Sequence, residues 1–209
     1  MHSIIKREGI GDVLSRGIKY AAKYFDAEDI AVHVKGLDPA GFDPRILKGM
    51  GLQYGTSPRG ACHLTATFYK PELAGIIPPE QIEGKAKLLI DWEDRMTIFD
   101  TLILCRFFRD LVQWDDVITI IEATTGIKYT QDELRKMAND ITTLRRMISM
   151  REGLTKKDDI LPQRLFKEPR KDDGKVVSED EFFYMLDEYY SIRGWDKEGI
   201  PKETPGFLE

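Results

Sequence analysis

Two helix-start signatures, each followed by apolar residues at three- and four-residue spacing, constrain this chain more than anything else in it. Thr130-Gln131-Asp132-Glu133 has capping-box spacing, in which a hydroxyl at the N-cap and a carboxylate three residues on satisfy each other's backbone N–H groups. Leu134, Met137, Ile141, Leu144 and Ile148 then share one face, and Gly153 stands where such a helix stops. Ser178-Glu179-Asp180-Glu181 repeats the signal before Phe182, Phe183, Met185, Leu186, Tyr189 and Tyr190, with Gly194 as terminator. Amphipathic helices of this kind bury their apolar faces against one another. The expected fold class is all-α, multihelical, with long loops and little or no sheet.

The rest of the chain supports that reading with weaker signals. Val13, Leu14, Ile18, Ala21, Ala22 and Phe25 predict one helix with a single buried face. Gly36, Pro39, Gly41 and Pro44 break the pattern over Val34 to Arg45, and a short helix is expected around Ile46 to Met50. Gly51 to Gly60 reads as a glycine-rich loop. Pro78-Pro79-Glu80 reads as a helix start, with Trp92, Met96, Phe99, Ile103, Phe107 and Leu111 forming one packed stripe beyond it. Val117, Ile118, Ile120 and Ile121 end at Gly126 and leave helix and strand both open. Thr155 to Val177, charged and proline-containing, is expected to wrap the surface. A loop-rich helical part, 1–77, is expected to pack against a helical part, 78–209.

With 209 residues and 42% hydrophobic composition the chain is large enough to bury a sizeable core. A net charge of -5 with interspersed signs argues against a nucleic-acid binder. No apolar run is long enough to cross a bilayer and the start lacks a signal-peptide pattern, so no membrane partner and a cytoplasmic location are expected. The two cysteines, Cys62 and Cys105, are expected to be reduced thiols. Phosphate-binding loops with lysine, zinc pairs of the His-Glu-x-x-His type and serine elbows do not occur.

Two segments carry the chemistry. Gly51-Leu52-Gln53-Tyr54-Gly55-Thr56-Ser57-Pro58-Arg59-Gly60-Ala61-Cys62-His63-Leu64 presents one of three histidines, and Asp100-Thr101-Leu102-Ile103-Leu104-Cys105 joins a carboxylate to a thiol. Both, in this order, resemble segments of the tungsten- or molybdenum-pterin aldehyde:ferredoxin oxidoreductases. The resemblance extends through Gly9-Ile10-Gly11-Asp12, Val34-Lys35-Gly36-Leu37-Asp38-Pro39 and Leu186 to Asp196. It covers the family's carboxy-terminal portion, without the amino-terminal β-rich domain and its compact three-cysteine run.

The resemblance implies a role for each residue. His63 is the catalytic acid or base near the metal, since an imidazole titrates near neutrality. Asp100 accepts hydrogen bonds from the pterin, with Leu104 beside it at the cofactor, and Cys105 is one distant thiolate ligand of a 4Fe-4S cluster. Arg59, with its fork of donors, is a candidate for a cofactor phosphate or a carboxylate; Thr56 and Ser57 are candidate polar lining. Read without the family, His63 is a core histidine bonded to backbone, Asp100 a helix cap or surface carboxylate, Cys105 a small buried hydrophobe and Arg59 an ordinary exposed arginine. Cys62 reads as packing, and neither His2 nor His33 as chemical. On an unbroken helix Asp100 and Cys105 would point about 140° apart. The family usually has glycine where Ile103 stands, and a β-branched side chain resists positive φ, so the backbone is expected to stay helical there or the site to be altered.

The first functional expectation is therefore the carboxy-terminal part of an enzyme that oxidises aldehydes to carboxylic acids. Its tungsten or molybdenum bis-pterin would pass electrons through a 4Fe-4S cluster to ferredoxin. Its partners are an amino-terminal domain or separate chain, ferredoxin and the aldehyde; a homo-oligomer is compatible with it. Alone, the chain is expected to bind no cofactor and to be inactive. The alternative is a cofactor-free helical interaction module derived from the same family.

Overall fold

Thr130 and Glu133 exchange the bonds that a capping box requires: the Thr130 hydroxyl accepts the Glu133 N–H at 3.3 Å, and the Glu133 carboxylate accepts the Thr130 N–H at 2.7 Å. Ser178 Oγ likewise accepts the Glu181 N–H, at 3.4 Å. The computed structural model describes residues 1–208. Among the described residues the chain forms ten α-helices: α1 His2–Lys6, α2 Ile10–Ser15, α3 Ile18–Tyr24, α4 Lys48–Thr56, α5 Tyr69–Leu73, α6 Lys85–Thr101, α7 Trp114–Thr125, α8 Gln131–Arg151, α9 Gln163–Lys167 and α10 Glu179–Ile192. They contain no β-strand, and extended pairing is confined to isolated bridges at Val34–Leu37 and Trp195–Pro201. The fold is all-α and multihelical.

Helix α6 is the spine of the molecule. Its first half contributes Ala86, Leu89 and Ile90 to a core shared with Met50, Leu52 and Tyr54 of α4 and with Phe182, Met185, Leu186, Tyr189 and Tyr190 of α10. Its second half gives Met96, Ile98 and Phe99 to another core with Trp114, Val117 and Ile121 of α7 and with Leu134 and Ala138 of α8. The first core draws on residues from both sides of position 77. Val117 and Ile121, one turn apart, turn the open helix-or-strand run into helix by packing on α6 and α8.

Several elements differ from the sequence expectations, each for an identifiable reason. The first amphipathic run divides into α2 and α3 because Gly17 adopts φ 87°, and Leu14 and Phe25 are exposed rather than packed. Helix α6 begins at Lys85, not at the Pro78-Pro79-Glu80 signal. The Lys85 ammonium, buried, donates to the Pro78 and Pro79 carbonyls at 3.1 Å each and pairs with Glu72 at 2.6 Å, folding the diproline segment back as a turn. The Trp92 stripe stops at Phe99, since α6 ends at Thr101 and leaves Phe107 and Leu111 largely exposed.

The expected surface wrapping of Thr155 to Val177 holds for most of that stretch, but four residues anchor it inside. Asp159, Leu161, Leu165 and Phe166 are buried. Asp159 takes Lys35 and Arg146 at 2.7 Å each, and Tyr190 donates to it. Beside this cluster Arg193 of α10 pairs with Glu93 at 2.8 Å and Asp94 at 2.7 Å on α6. A buried charge needs a partner, and acidic residues that looked solvated in the sequence supply it.

Candidate functional site

The histidine segment begins inside a helix rather than a loop. Gly49 through Thr56 are all buried in α4, and the glycines serve close approach. A Cβ at Gly49 would stand 2.2 Å from the Phe68 ring, and one at Gly55 would stand 3.0 Å from Phe182 and 3.3 Å from the Asp159 carbonyl. A helix buried on every side has no polar stripe to betray its period, so the glycines read as loop. Glu72 accepts the Gly49 N–H at 2.9 Å at the start of α4. At its end the Lys35 ammonium takes the Gly55 and Ser57 carbonyls, the latter at 3.0 Å, as a cation satisfies carbonyls left over at a helix C-terminus.

Beyond Ser57 the chain loops out to His63 and returns at Phe68. Gly60, at φ 96°, lies so close to Val34 that a Cβ would sit 2.1 Å from its carbonyl oxygen. Ser57 and Thr65 share a hydroxyl hydrogen bond of 3.0 Å, and Thr56 bonds the Leu52 carbonyl at 2.9 Å. Both hydroxyls named as candidate lining thus already have a partner, Thr56 within α4 and Ser57 across the loop. Cys62 is a buried free thiol.

His63 is half-buried, and its ring makes no hydrogen bond to another protein group among the described residues. It stands beside a stacked aromatic pair: the Phe42 and Tyr69 rings lie 4.1 Å apart, and the imidazole is 6.0 Å and 6.5 Å from them. Burial first, then the Arg59 and Arg109 guanidinia, hold its pKa below the ordinary imidazole value. At neutral pH the ring is therefore uncharged and able to take a proton. Arg59 itself is exposed.

The second segment is a helix end. The Leu104 N–H bonds the Phe99 carbonyl at 2.9 Å and the Ile103 N–H bonds that of Asp100 at 3.1 Å, the pair of bonds of a Schellman motif. Leu104 packs on the second core, as the motif's apolar contact requires. Its left-handed position is Ile103, at φ 57° and 92% exposed. The expectation of helical backbone at Ile103 is therefore wrong: the turn's two hydrogen bonds and the Leu104 contact hold a β-branched residue in the conformation glycine favours. Because the helix ends between them, Asp100 and Cys105 are also not related by a continuous helical turn. Cys105 is an exposed free thiol in extended backbone ahead of the 3-10 turn Arg106–Asp110, so it is not a buried hydrophobe.

Arg106 joins the two segments. Its guanidinium pairs with the Asp100 carboxylate and donates to the carbonyl of Leu64, the residue after His63. Arg109, buried, donates to the Arg106 carbonyl at 2.8 Å and to the Tyr69 hydroxyl at 3.1 Å, while its Nε makes no hydrogen bond and faces an Asp110 carboxylate oxygen at 3.8 Å. The two segments thus meet at one face through Arg106, with Arg59 close enough to act on the imidazole. The sequence reading missed Phe42, Tyr69, Arg106 and Arg109; the arginines' position just after Cys105, three residues apart, was the available signal. A cleft of about 980 Å³ lies elsewhere, between 28–35 and 157–169. It contains His33, whose Nδ1 accepts the Gly36 N–H at 3.4 Å, and none of the residues of the His63 face.

The donor set limits what this face can hold. The described residues contain no group of three or more His, Cys, Asp or Glu able to hold a metal ion, and Cys105 is the exposed one of the two cysteines. Asp100, with its side chain 49% exposed, keeps acceptor capacity beyond its bond to Arg106. Both fit a cofactor that is held mostly by another part of the protein. No helix among the described residues is long and apolar enough to cross a membrane.

Comparisons with known proteins bear on that face. The chain is 32% identical over 209 residues to a tungsten-containing aldehyde ferredoxin oxidoreductase of Pyrococcus furiosus, covering 97% of this chain and 34% of that protein. It is 33% identical over 212 residues to the corresponding protein of Pyrococcus horikoshii, with the same coverage. An aliphatic sulfonate oxidoreductase WOR-like subunit of Pyrococcus furiosus is 26% identical over 97% of this chain and 32% of its own length. The chain therefore spans about a third of the length of these relatives. The same fold occurs in the BamBC active-site complex of benzoyl coenzyme A reductase with 1,5-dienoyl-CoA, with a TM-score of 0.74, 17% identity and coverage of 96% of this chain and 36% of that one. The family model for domains 2 and 3 of aldehyde ferredoxin oxidoreductase matches residues 1–205, and the chain belongs to that family.

Proposed function

We propose that the chain forms the carboxy-terminal wall of an aldehyde:ferredoxin oxidoreductase that converts aldehydes to carboxylic acids and sends the electrons to ferredoxin. It works joined to a part corresponding to the remaining length of its relatives, and by itself it is inactive. One observation carries this reading: Arg106 ties the Asp100–Cys105 turn to the His63 loop, which joins the two segments that carry the expected site residues.

In this reading Asp100 accepts N–H groups of a bis-pterin and so fixes its orientation, the Leu104 turn lies against the cofactor, and Cys105 gives the fourth thiolate to a 4Fe-4S cluster. When bound, these groups supply two-electron chemistry at tungsten or molybdenum and one-electron transfer through the cluster. Making a carboxylate from an aldehyde and water also releases protons. The uncharged imidazole of His63 takes one of them, as its depressed pKa allows. The Phe42–Tyr69 stack keeps bulk water from one side of that ring. Arg59 holds an anionic group near the mouth.

A second reading, a cofactor-free helical interaction module, draws on Ile103, Phe107 and Leu111, which are 92%, 85% and 74% exposed beside Cys105. Anaerobic coexpression with the amino-terminal segment separates the two. The enzyme reading expects bound tungsten or molybdenum, iron, and aldehyde-dependent viologen reduction. It expects Cys105→Ser to lose the cluster, and His63→Gln to keep metal while kcat falls about 10²-fold or more. Stable association without metal, iron or turnover would favour the module.

A further inference from the structure

We infer that Gln53 is the positioning residue for His63: its side-chain amide bridges the two ends of the histidine loop and fixes where the imidazole stands. The importance of that placement rests on the proposed role of His63, but the clamp itself does not.

Gln53 lies in the middle of α4 and is 1% exposed. Its Nε2 donates to the Cys62 carbonyl at 2.6 Å, and its Oε1 accepts the Phe68 N–H at 2.8 Å. These residues bracket His63 through Thr67, a stretch that has no strand to pair with. One amide therefore does for the loop what a neighbouring strand does in a sheet, offering a donor to one side and an acceptor to the other. The base of the clamp is rigid, because α4 is held at its start by Glu72 and at its end by Lys35.

Nothing on the imidazole does the same work, since the ring has no hydrogen bond of its own among the described residues. Its place is set through the backbone, and the bond nearest to it is the one at Cys62. Two other side-chain links hold the loop: Ser57 to Thr65 spans His63 at longer range, and Arg106 takes the Leu64 carbonyl on its far side. Glutamine makes both bonds at this reach as a neutral amide. Methionine keeps the volume and loses both, asparagine is one methylene short, and glutamate makes both only as the protonated acid.

The test uses the 209-residue chain and needs no cofactor. Histidine side-chain NMR titrations and amide exchange over 62–68 are recorded for the parent, Gln53→Met, Gln53→Asn and, as a control, Thr143→Val, which removes a remote buried bond from Trp195. In Gln53→Met the His63 midpoint is expected to rise toward that of an ordinary imidazole, with amide exchange in the loop faster by about tenfold. His33, in the separate cleft, stays unchanged and serves as internal reference. Gln53→Asn gives the same direction, and Thr143→Val lowers stability without moving His63. A folded Gln53→Met with His63 and loop exchange unchanged overturns the inference, as does an equal shift in the control. If Gln53→Met does not fold, an unchanged His63 in Gln53→Asn overturns it. Since none of these readouts involves turnover, loss of the enzymatic reading would leave the result standing, and loss of the clamp would leave the enzymatic reading to its own test.

Discussion

Replacing Ile103 by glycine is expected to stabilise the chain, although it removes four carbons from the protein. Ile103 is held at φ 57° with 92% of its surface exposed, so its side chain buries little that could be lost. A left-handed conformation costs a residue with a Cβ about 1–2 kcal/mol, and a branched Cβ belongs at the upper end of that range. Glycine removes the strain but loses about 0.5–1 kcal/mol through the greater freedom of its unfolded chain. The net gain is about 1 kcal/mol, equivalent to a rise of about 2–4 °C in Tm for a chain of this size. Urea unfolding and thermal melts of the parent, Ile103→Gly and Ile103→Ala measure it. Alanine keeps the Cβ and most of the strain, so its effect is expected within about 0.5 kcal/mol of zero. An Ile103→Gly variant no more stable than Ile103→Ala, at unchanged m-value, would refute the reasoning. The strain also has a place in the site, for it is stored in the turn between Asp100 and Cys105.

Other perturbations reach different parts of the fold. Lys85→Met strands Glu72 in the first core and is expected to lower stability by about 3–5 kcal/mol, checked by urea midpoint. Thr130→Ala breaks the capping box of α8 for about 1 kcal/mol, a loss that Thr130→Ser should largely recover. Burial first, against the opposing pull of Arg193, raises Asp94 to about 6. As pH falls through 6 toward 3.8 the folded chain takes up that proton before the unfolded one, so this group's contribution to stability grows in acid and is a penalty above pH 6. The stability difference between parent and Asp94→Asn should therefore shift in favour of the parent over that window, by up to the order of 3 kcal/mol. A pH-independent difference would contradict the assignment.

The parts of the fold legible in the sequence are those where one helix face meets solvent. Helices α8 and α10 announce themselves because Thr130 and Ser178 sit at caps and their polar faces alternate with buried ones. Helix α4 was hidden for the opposite reason: it is buried all round and packed through Gly49, Gly51 and Gly55, residues that local rules assign to loops. The Lys85 start of α6 depended on a buried ion pair between distant residues, as did the burial of Asp159. No local pattern carries that information.

The site divides in the same way. His63, Asp100 and Cys105 are readable as residue types in family order, and Arg106 fastens the two segments that carry them to one another. The agents that bring them there, Arg106 bridging to Leu64 and Gln53 clamping Cys62 to Phe68, act across folds of the chain and leave no periodic trace. Ile103 shows the converse: the sequence rule that β-branched residues avoid positive φ is sound on average, but two hydrogen bonds and the Leu104 contact override it here.

The central claim is that this chain supplies a single thiolate to a cluster completed elsewhere. Anaerobic reconstitution of the purified 209-residue chain with iron and sulfide, followed by iron and labile-sulfide analysis, tests it most directly. The expected result is no stoichiometric cluster per chain and no aldehyde-dependent viologen reduction. One intact 4Fe-4S cluster per chain, with turnover unaided, would contradict it.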